Sequence, residues 1–252
     1  MDDTGVLIKS VWRENRQKEN SIIRSHLPSY PFISISTKHF RYRDKIPAKS
    51  CTAVHDSNHG RLQLVLDVFP VRQIGIVLFD GSGNLPKCQE TGQPCMWEFN
   101  LRVHVTDDRG INPADFIIGL FATGSLRKSR HCWVVFKGGL DFGSLVKLIT
   151  GIELPPERQD LFAKVKMYFP TFYDVMHVVA ATPGLSKARG KLDRVAKAMG
   201  VGRETGPPYG AASDGLLALR VFLKAMTEKF GGELPEDQAN VIFGFCREGE
   251  RV

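Results

Sequence analysis

The chain lacks any apolar run of the ~18 residues that a membrane-crossing helix needs. Its first residues, Met1 to Gly5, are acidic and polar, so a secretory leader is not expected. Cysteine is scarce and odd in number, five in all, without the spacing of a disulfide framework. That suits a reducing compartment, cytoplasmic or nuclear. No internal repeat and no low-complexity segment interrupts the chain, which argues against a solenoid or a disordered tail.

What is present is ordinary for a globular protein: 42% apolar and 24% charged residues in a chain of 252. That length suits one large α/β domain or two small ones. The expectation is a single domain over residues 1–252, with an ordered core of about 6–245. The formal net charge of +7 is compatible with nucleic-acid or other acidic partners through phosphate contacts. By itself it singles out none of them.

Local patterns give the elements. Val6, Leu7, Val11, Trp12, Ile22, Ile23 and Leu27 recur at helical spacing, ended by Pro28 and Pro31. Phe32 to Thr37 is a β-branched strand, and Arg41 to Arg61 is polar, turn-rich and read as a loop. Leu62 to Val68 fits helix or strand. Arg72 to Asp80, the turn Gly81 to Asn84, and Cys95 to Leu101 read as an antiparallel hairpin-like unit. Asn112 to Gly119 reads as helix and Cys132 to Phe136 as a buried strand. Helices are then expected at Asp141 to Thr150 and Asp160 to Phe169, and a strand running into a helix at Phe172 to Val179. Further helices are expected at Lys187 to Met199 and Ala211 to Phe230. Antiparallel strands followed by alternating βα units indicate an α/β fold with one mixed sheet flanked by helices.

Several segments, in order along nearly the whole chain, resemble one family. They include Val11-Trp12-Arg13-Glu14-Asn15, Gln73-Ile74-Gly75-Ile76, Gly83-Asn84-Leu85-Pro86 and Trp97-Glu98-Phe99-Asn100. They continue with Gly138-Gly139-Leu140-Asp141-Phe142-Gly143, Phe172-Tyr173-Asp174-Val175 and Ala211-Ala212-Ser213-Asp214-Gly215. The set resembles the CAF/POP-type poly(A) deadenylase subunit of the CCR–NOT complex, an RNase H-like 3′→5′ exoribonuclease of the DEDD group. The resemblance implies an RNase H-like fold and a CCR–NOT-type scaffold protein as partner, with poly(A) RNA as ligand. It implies neither membrane association nor a small-molecule cofactor.

It also implies where chemistry should sit. Family members hold two Mg²⁺ ions between four carboxylates, the first two from an Asp-x-Glu strand whose alternation aims both at one face. Here that strand offers Ser36 and Lys38 instead. Ser36 is a poor magnesium ligand. Lys38 has no lone pair to donate, and its ammonium repels a cation by several kcal/mol at ~4 Å. Lys38 either approaches Asp141 or Asp214, taking over the work of the missing metal, or snorkels to solvent.

Asp141 and Asp214 match the third and fourth carboxylates, each also readable as a helix N-cap. Tyr209 stands where the family has its general-base histidine, and a phenol is a poor base near neutral pH. Substitution at Ser36, Lys38 and Tyr209 implies a degenerate site, an RNA- or protein-binding scaffold in mRNA turnover rather than a nuclease. Metal is not expected at full occupancy; magnesium or manganese would be needed if the chain cuts.

The rival is an active exonuclease with a rebuilt metal site drawing on Asp174, Asp44 or Asp56. A general RNA-binding module is a third reading. Cys88 and Cys95 could hold metal but read better as free thiols, and His177 as a satisfied histidine. Lys187, Arg189, Lys191, Arg194 and Lys197 could touch RNA or form a solvated face. Trp12, Trp97 and Trp133 read as core.

Overall fold

The structure is a computed structural model that describes residues 5–40, 58–122, 126, 131–180, 190–246 and 249–252. Its centre is a six-stranded sheet in the order β1-β4-β3-β2-β5-β6. The strands are β1 Leu7–Val11, β2 Phe32–His39, β3 Val71–Phe79, β4 Cys95–Asn100, β5 Cys132–Val135 and β6 Phe172–Asp174. β2, β3 and β4 form an antiparallel meander, while β5 and β6 extend it in parallel from β2 and β1 pairs in parallel with β4. This is the expected mixed sheet.

Eight α-helices flank it among the described residues: α1 Arg16–His26, α2 Asn58–Val68, α3 Pro113–Ile117, α4 Gly139–Thr150, α5 Arg158–Tyr168, α6 Val175–Ala180, α7 Leu192–Ala198 and α8 Ala211–Lys229. A π-helical turn, Ile118–Ala122, continues α3. One face of the sheet packs on α1, α2, α4 and α5 through Trp97, Phe99, Trp133, Phe142 and Phe169. The other packs on α6, α7 and α8 through Val77, Met96, Val134 and Phe222. α6 and α7 add Val175, Met176, Val178, Val179 and Val195, all fully buried.

The opening helical reading is corrected. Leu7–Val11 is an edge strand in register with Cys95–Phe99. The i, i+4 spacing of Leu7 and Val11 mimics a helix turn, but the partner strand decides. The helix starts after a turn that Asn15 closes, accepting from Trp12 N at 2.8 Å and donating to the Ser10 carbonyl at 3.0 Å. The loop reading of Arg41 to Arg61 also ends early, because α2 starts at Asn58; residues 41–57 lie outside the described residues. The ambiguous Leu62 to Val68 is helix, with Leu62 and Leu66 buried one turn apart. Of the basic helix expected from Lys187 to Met199, the described part is α7, Leu192–Ala198; residues 187–189 lie outside the described residues.

One contact positions everything that follows. Gly75 pairs with Ser36 across the β2–β3 ladder, and the start of α8 lies directly on it. A Cβ at Gly75 would sit 2.3 Å from the Ala211 carbonyl carbon and 2.4 Å from Ala212 N. Only glycine lets helix backbone approach a strand this closely. The Ala212 N–H donates to Glu98 of β4 at 3.2 Å, and Ser34 Oγ donates to the Gly215 carbonyl at 2.8 Å. The first turns of α8 are thereby stapled over β2.

Candidate active-site cleft

Above the C-terminal half of β2 lies a cleft of about 970 Å³, walled by the starts of α4, α7 and α8. Ser36, Lys38, Asp141, Tyr209 and Asp214 all line it. The β2–β5 ladder ends at Ser34, so the Thr37 N–H on that side needs another acceptor. Asp141 supplies it: its Oδ1 accepts from Thr37 N at 2.6 Å and from Thr37 Oγ1 at 2.7 Å. Asp141 is the third residue of α4 and caps a strand, not its own helix, whose N-cap position is Gly138. Burial pushes its carboxyl up to about 6, against the opposing pull of the Thr37 bonds and the Lys38 charge.

Asp214, the fourth residue of α8, is held by two cations. Lys38 Nζ lies 2.5 Å from its Oδ2 and Arg203 Nη2 lies 2.8 Å from its Oδ1. Arg203 also pairs with Asp193 at 2.8 Å and donates to Ser213 Oγ at 2.6 Å. Burial works against the charged guanidinium, but the two carboxylates outweigh it and raise its pKa. Lys38 therefore turns inward instead of snorkelling to solvent. Arg203 is the residue that sequence reasoning missed: it sits in an irregular segment, and only the fold brings it to Asp193 and Asp214.

The other candidates sort by geometry. Tyr209 is 62% exposed, with a left-handed φ of 68°. Asp174 is wholly buried. It accepts four backbone N–H groups, from Lys137 and Met176 on Oδ1 and from Gly138 and Phe243 on Oδ2, at 2.9 to 3.0 Å. Those bonds commit both oxygens and correct the idea of Asp174 as a substitute ligand. Asp44 and Asp56, with Lys187 and Arg189, lie outside the described residues. His177 is half-buried on α6 and outside the cleft lining, and burial lowers its pKa. Cys88 and Cys95 are buried free thiols. Trp97 and Trp133 are core, but Trp12 is only half-buried, under the Arg109 guanidinium 4.7 Å from its ring.

No family model matches the chain. It is 31% identical to "Probable CCR4-associated factor 1 homolog 10" of Arabidopsis thaliana over 267 aligned positions, covering 97% of this chain and 94% of that one. The chain belongs to the CCR4-associated factor 1 family. It is 28% identical to the poly(A) ribonuclease pop2 of Schizosaccharomyces pombe, across 96% of this chain and 76% of that protein. The solved Pop2p structure of the same yeast, in its Mg²⁺- and Mn²⁺-bound form, superposes with a TM-score of 0.80 over 94% of this chain and 99% of that one. The fold is therefore the RNase H-like ribonuclease fold of this family.

The residues present in this member do not fit a pair of divalent cations. Both Asp214 oxygens face side-chain cations, and Asp141 Oδ1 is engaged twice by Thr37. Ser36 is neutral and Lys38 positive where carboxylates would be required. Among the described residues no three His, Cys, Asp or Glu side chains cluster where they could hold a metal ion.

Proposed function

We propose that this chain is a non-cutting member of the deadenylase family, which keeps the fold and has exchanged the metals of the site for its own cations. The observation that carries this reading is the clasp on Asp214. An ammonium at 2.5 Å and a guanidinium at 2.8 Å already supply the positive charge that a metal would bring. A divalent ion would have to expel both, at a cost of several kcal/mol in electrostatics alone. Tyr209, exposed and left-handed, stands where the resemblance puts the family's general-base histidine.

A fold can keep partner surfaces while its chemistry decays. The role that follows is a binding or scaffold component in mRNA turnover, seated on a CCR–NOT-type scaffold protein in place of an active subunit, in the cytoplasm or nucleus. The rival, an active 3′→5′ poly(A) exoribonuclease, loses its best substitute ligand, because the Asp174 oxygens are already saturated.

The test is digestion of 5′-labelled and 3′-labelled oligo(A) RNA in Mg²⁺ and then Mn²⁺, beside the Ser36→Asp/Lys38→Glu variant. The expected result is no shortening by the natural chain. Stepwise 3′→5′ shortening that Asp141→Ala abolishes would overturn the reading.

A further inference from the structure

After α8 the chain returns to the edge of the sheet. Asn240 closes the outer strand β6 with two bonds: its N–H donates to the Phe172 carbonyl at 2.9 Å, and its Oδ1 accepts from Phe172 N at 3.0 Å. Its backbone is left-handed, with φ 61°, a conformation that asparagine tolerates better than most residues. The residues that follow straddle the sheet. Ile242 is buried in the apolar cluster on one face, and Phe243 packs against the cluster on the other. Residues 240–246 are therefore a strap across the β6 edge, held by turns and side chains rather than by a strand ladder.

The strap meets the starts of three helices. The Gly244 carbonyl accepts from the Asn58 side-chain amide of α2. The Phe245 carbonyl accepts from the Arg158 guanidinium of α5, which also grips Glu250 through two bonds of 2.9 and 3.0 Å. The Phe245 ring lies against Gly139, the first residue of α4, so closely that a Cβ there would collide with it. Phe243 N–H and Gly138 N–H share one oxygen of the buried Asp174 carboxylate, at 3.0 and 2.9 Å, while Lys137 N–H takes the other. Lys137 is itself left-handed, with φ 56°, so the turn into α4 is strained and depends on that carboxylate. The same turn delivers Asp141, which holds Thr37 N of β2 at 2.6 Å on the cleft floor. An unbroken run of contacts joins the strap to the cleft.

We propose that the strap is a control element for the cleft. The strap, the turn of Lys137 and Gly138, and the Asp141–Thr37 contact open and close as one cooperative unit, so an event at the β6 edge is felt at Asp141. The shared carboxylate is what couples them. If Phe243 withdraws, a buried charge loses a donor, and the turn that holds the remaining donors must rearrange to satisfy it. This goes beyond the non-cutting reading and does not rest on it.

Amide hydrogen exchange followed by NMR on the full chain tests the coupling in Arg158→Met and Asn240→Ala. Both changes loosen the strap, and neither residue bonds to Asp174, Asp141 or Thr37. In Arg158→Met exchange at Phe243 should quicken about tenfold, the effect of losing about one charge-assisted hydrogen bond. Exchange at Gly138 and Thr37 should quicken by a similar factor, while Met96 and Trp97 of β4 keep their natural protection. Asn240→Ala should give the same pattern, and it reads the coupling alone should Arg158→Met fail to fold. Coupling is reciprocal, so Thr37→Val, which removes one bond to Asp141 from the cleft side, should quicken exchange at Phe243. Lys224→Met, which breaks only an ion pair within α8, should change none of these amides.

Faster exchange at Phe243 with Gly138 and Thr37 unchanged would mean a strap that frays alone, and overturns the proposal. An equal rise at Trp97 overturns it too, because the whole domain would then have been loosened. Either failure leaves the non-cutting reading standing, since no step of that reading uses the strap.

Discussion

The clasp on Asp214 has a measurable strength. Two unit charges 4 Å apart attract by about 4 kcal/mol at an effective dielectric near 20, before desolvation and side-chain ordering are subtracted. The Lys38 and Asp214 side chains are 22% and 12% exposed, so the pair lies between a surface bridge and a buried one. Surface bridges contribute about 0–1 kcal/mol, while breaking a buried pair costs about 3–5. A coupling of about 1–2 kcal/mol follows. Lys38→Met keeps the stem and leaves Asp214 with Arg203, so it should cost only about 1 kcal/mol. Asp214→Asn leaves Lys38 without its carboxylate and Arg203 with Asp193 alone, and should cost about 2–3 kcal/mol. In the double variant no lysine is left facing the lost carboxylate, so the losses should fall short of their sum by the coupling energy. Urea unfolding of the four proteins reads this directly, and 0.5 M NaCl, a concentration about three times physiological ionic strength, should shrink the coupling only in part. Losses that add to within about 0.3 kcal/mol would refute the clasp.

Three further perturbations test the frame around it. Gly75→Ala places a methyl on the backbone of Ala211 and should cost about 2–3 kcal/mol by lifting α8 from β3; thermal melts check this, and a wild-type melting temperature would contradict the close approach. Asp174→Ala strands four N–H groups and should cost at least about 3 kcal/mol in urea, with Asp174→Asn recovering part of the loss; near-neutral effects of both would show that the loop does not depend on it. Asp141 is raised to about 6 from an ordinary 3.8, so the folded chain binds a proton that the unfolded chain releases between about pH 4 and pH 6. Wild-type stability should fall as pH rises through that window, at up to ~1.4 kcal/mol per unit. Asp141→Asn, which still accepts from Thr37, should escape this fall; a variant-minus-wild-type gap that is flat across the window would contradict it.

Much of this was legible in the residues because local and global signals agreed. The β-branched run of β2, the Gly81 to Asn84 turn and the apolar stripe of α8 each point to one structure. Family order singles out Ser36, Lys38, Asp141, Tyr209 and Asp214, and the fold brings them to one cleft. What was not legible depends on partners distant in sequence. Leu7–Val11 reads as helix by spacing, and only the pairing with β4 makes it a strand. Asp174 reads from sequence as structural, at the cleft edge, or as a substitute ligand, and what decides is four donors from the turn after β5, the start of α6 and the segment around Phe243. Arg203 carries no periodic or motif signal, since its role depends on meeting Asp193 and Asp214 in space. Gly75 stood in a family motif, but its physical necessity appears only when α8 is laid on the sheet.

The exchange of metals for side-chain cations is tested most directly by isothermal titration of MnCl₂ into the natural chain, beside a variant carrying Ser36→Asp, Lys38→Glu and Arg203→Met. The natural chain should give no saturable heat into the millimolar range. The variant, with four carboxylates and an unclasped Asp214, should bind. Two-ion binding by the natural chain at micromolar manganese would contradict the exchange, because Lys38 and Arg203 could not then remain on Asp214.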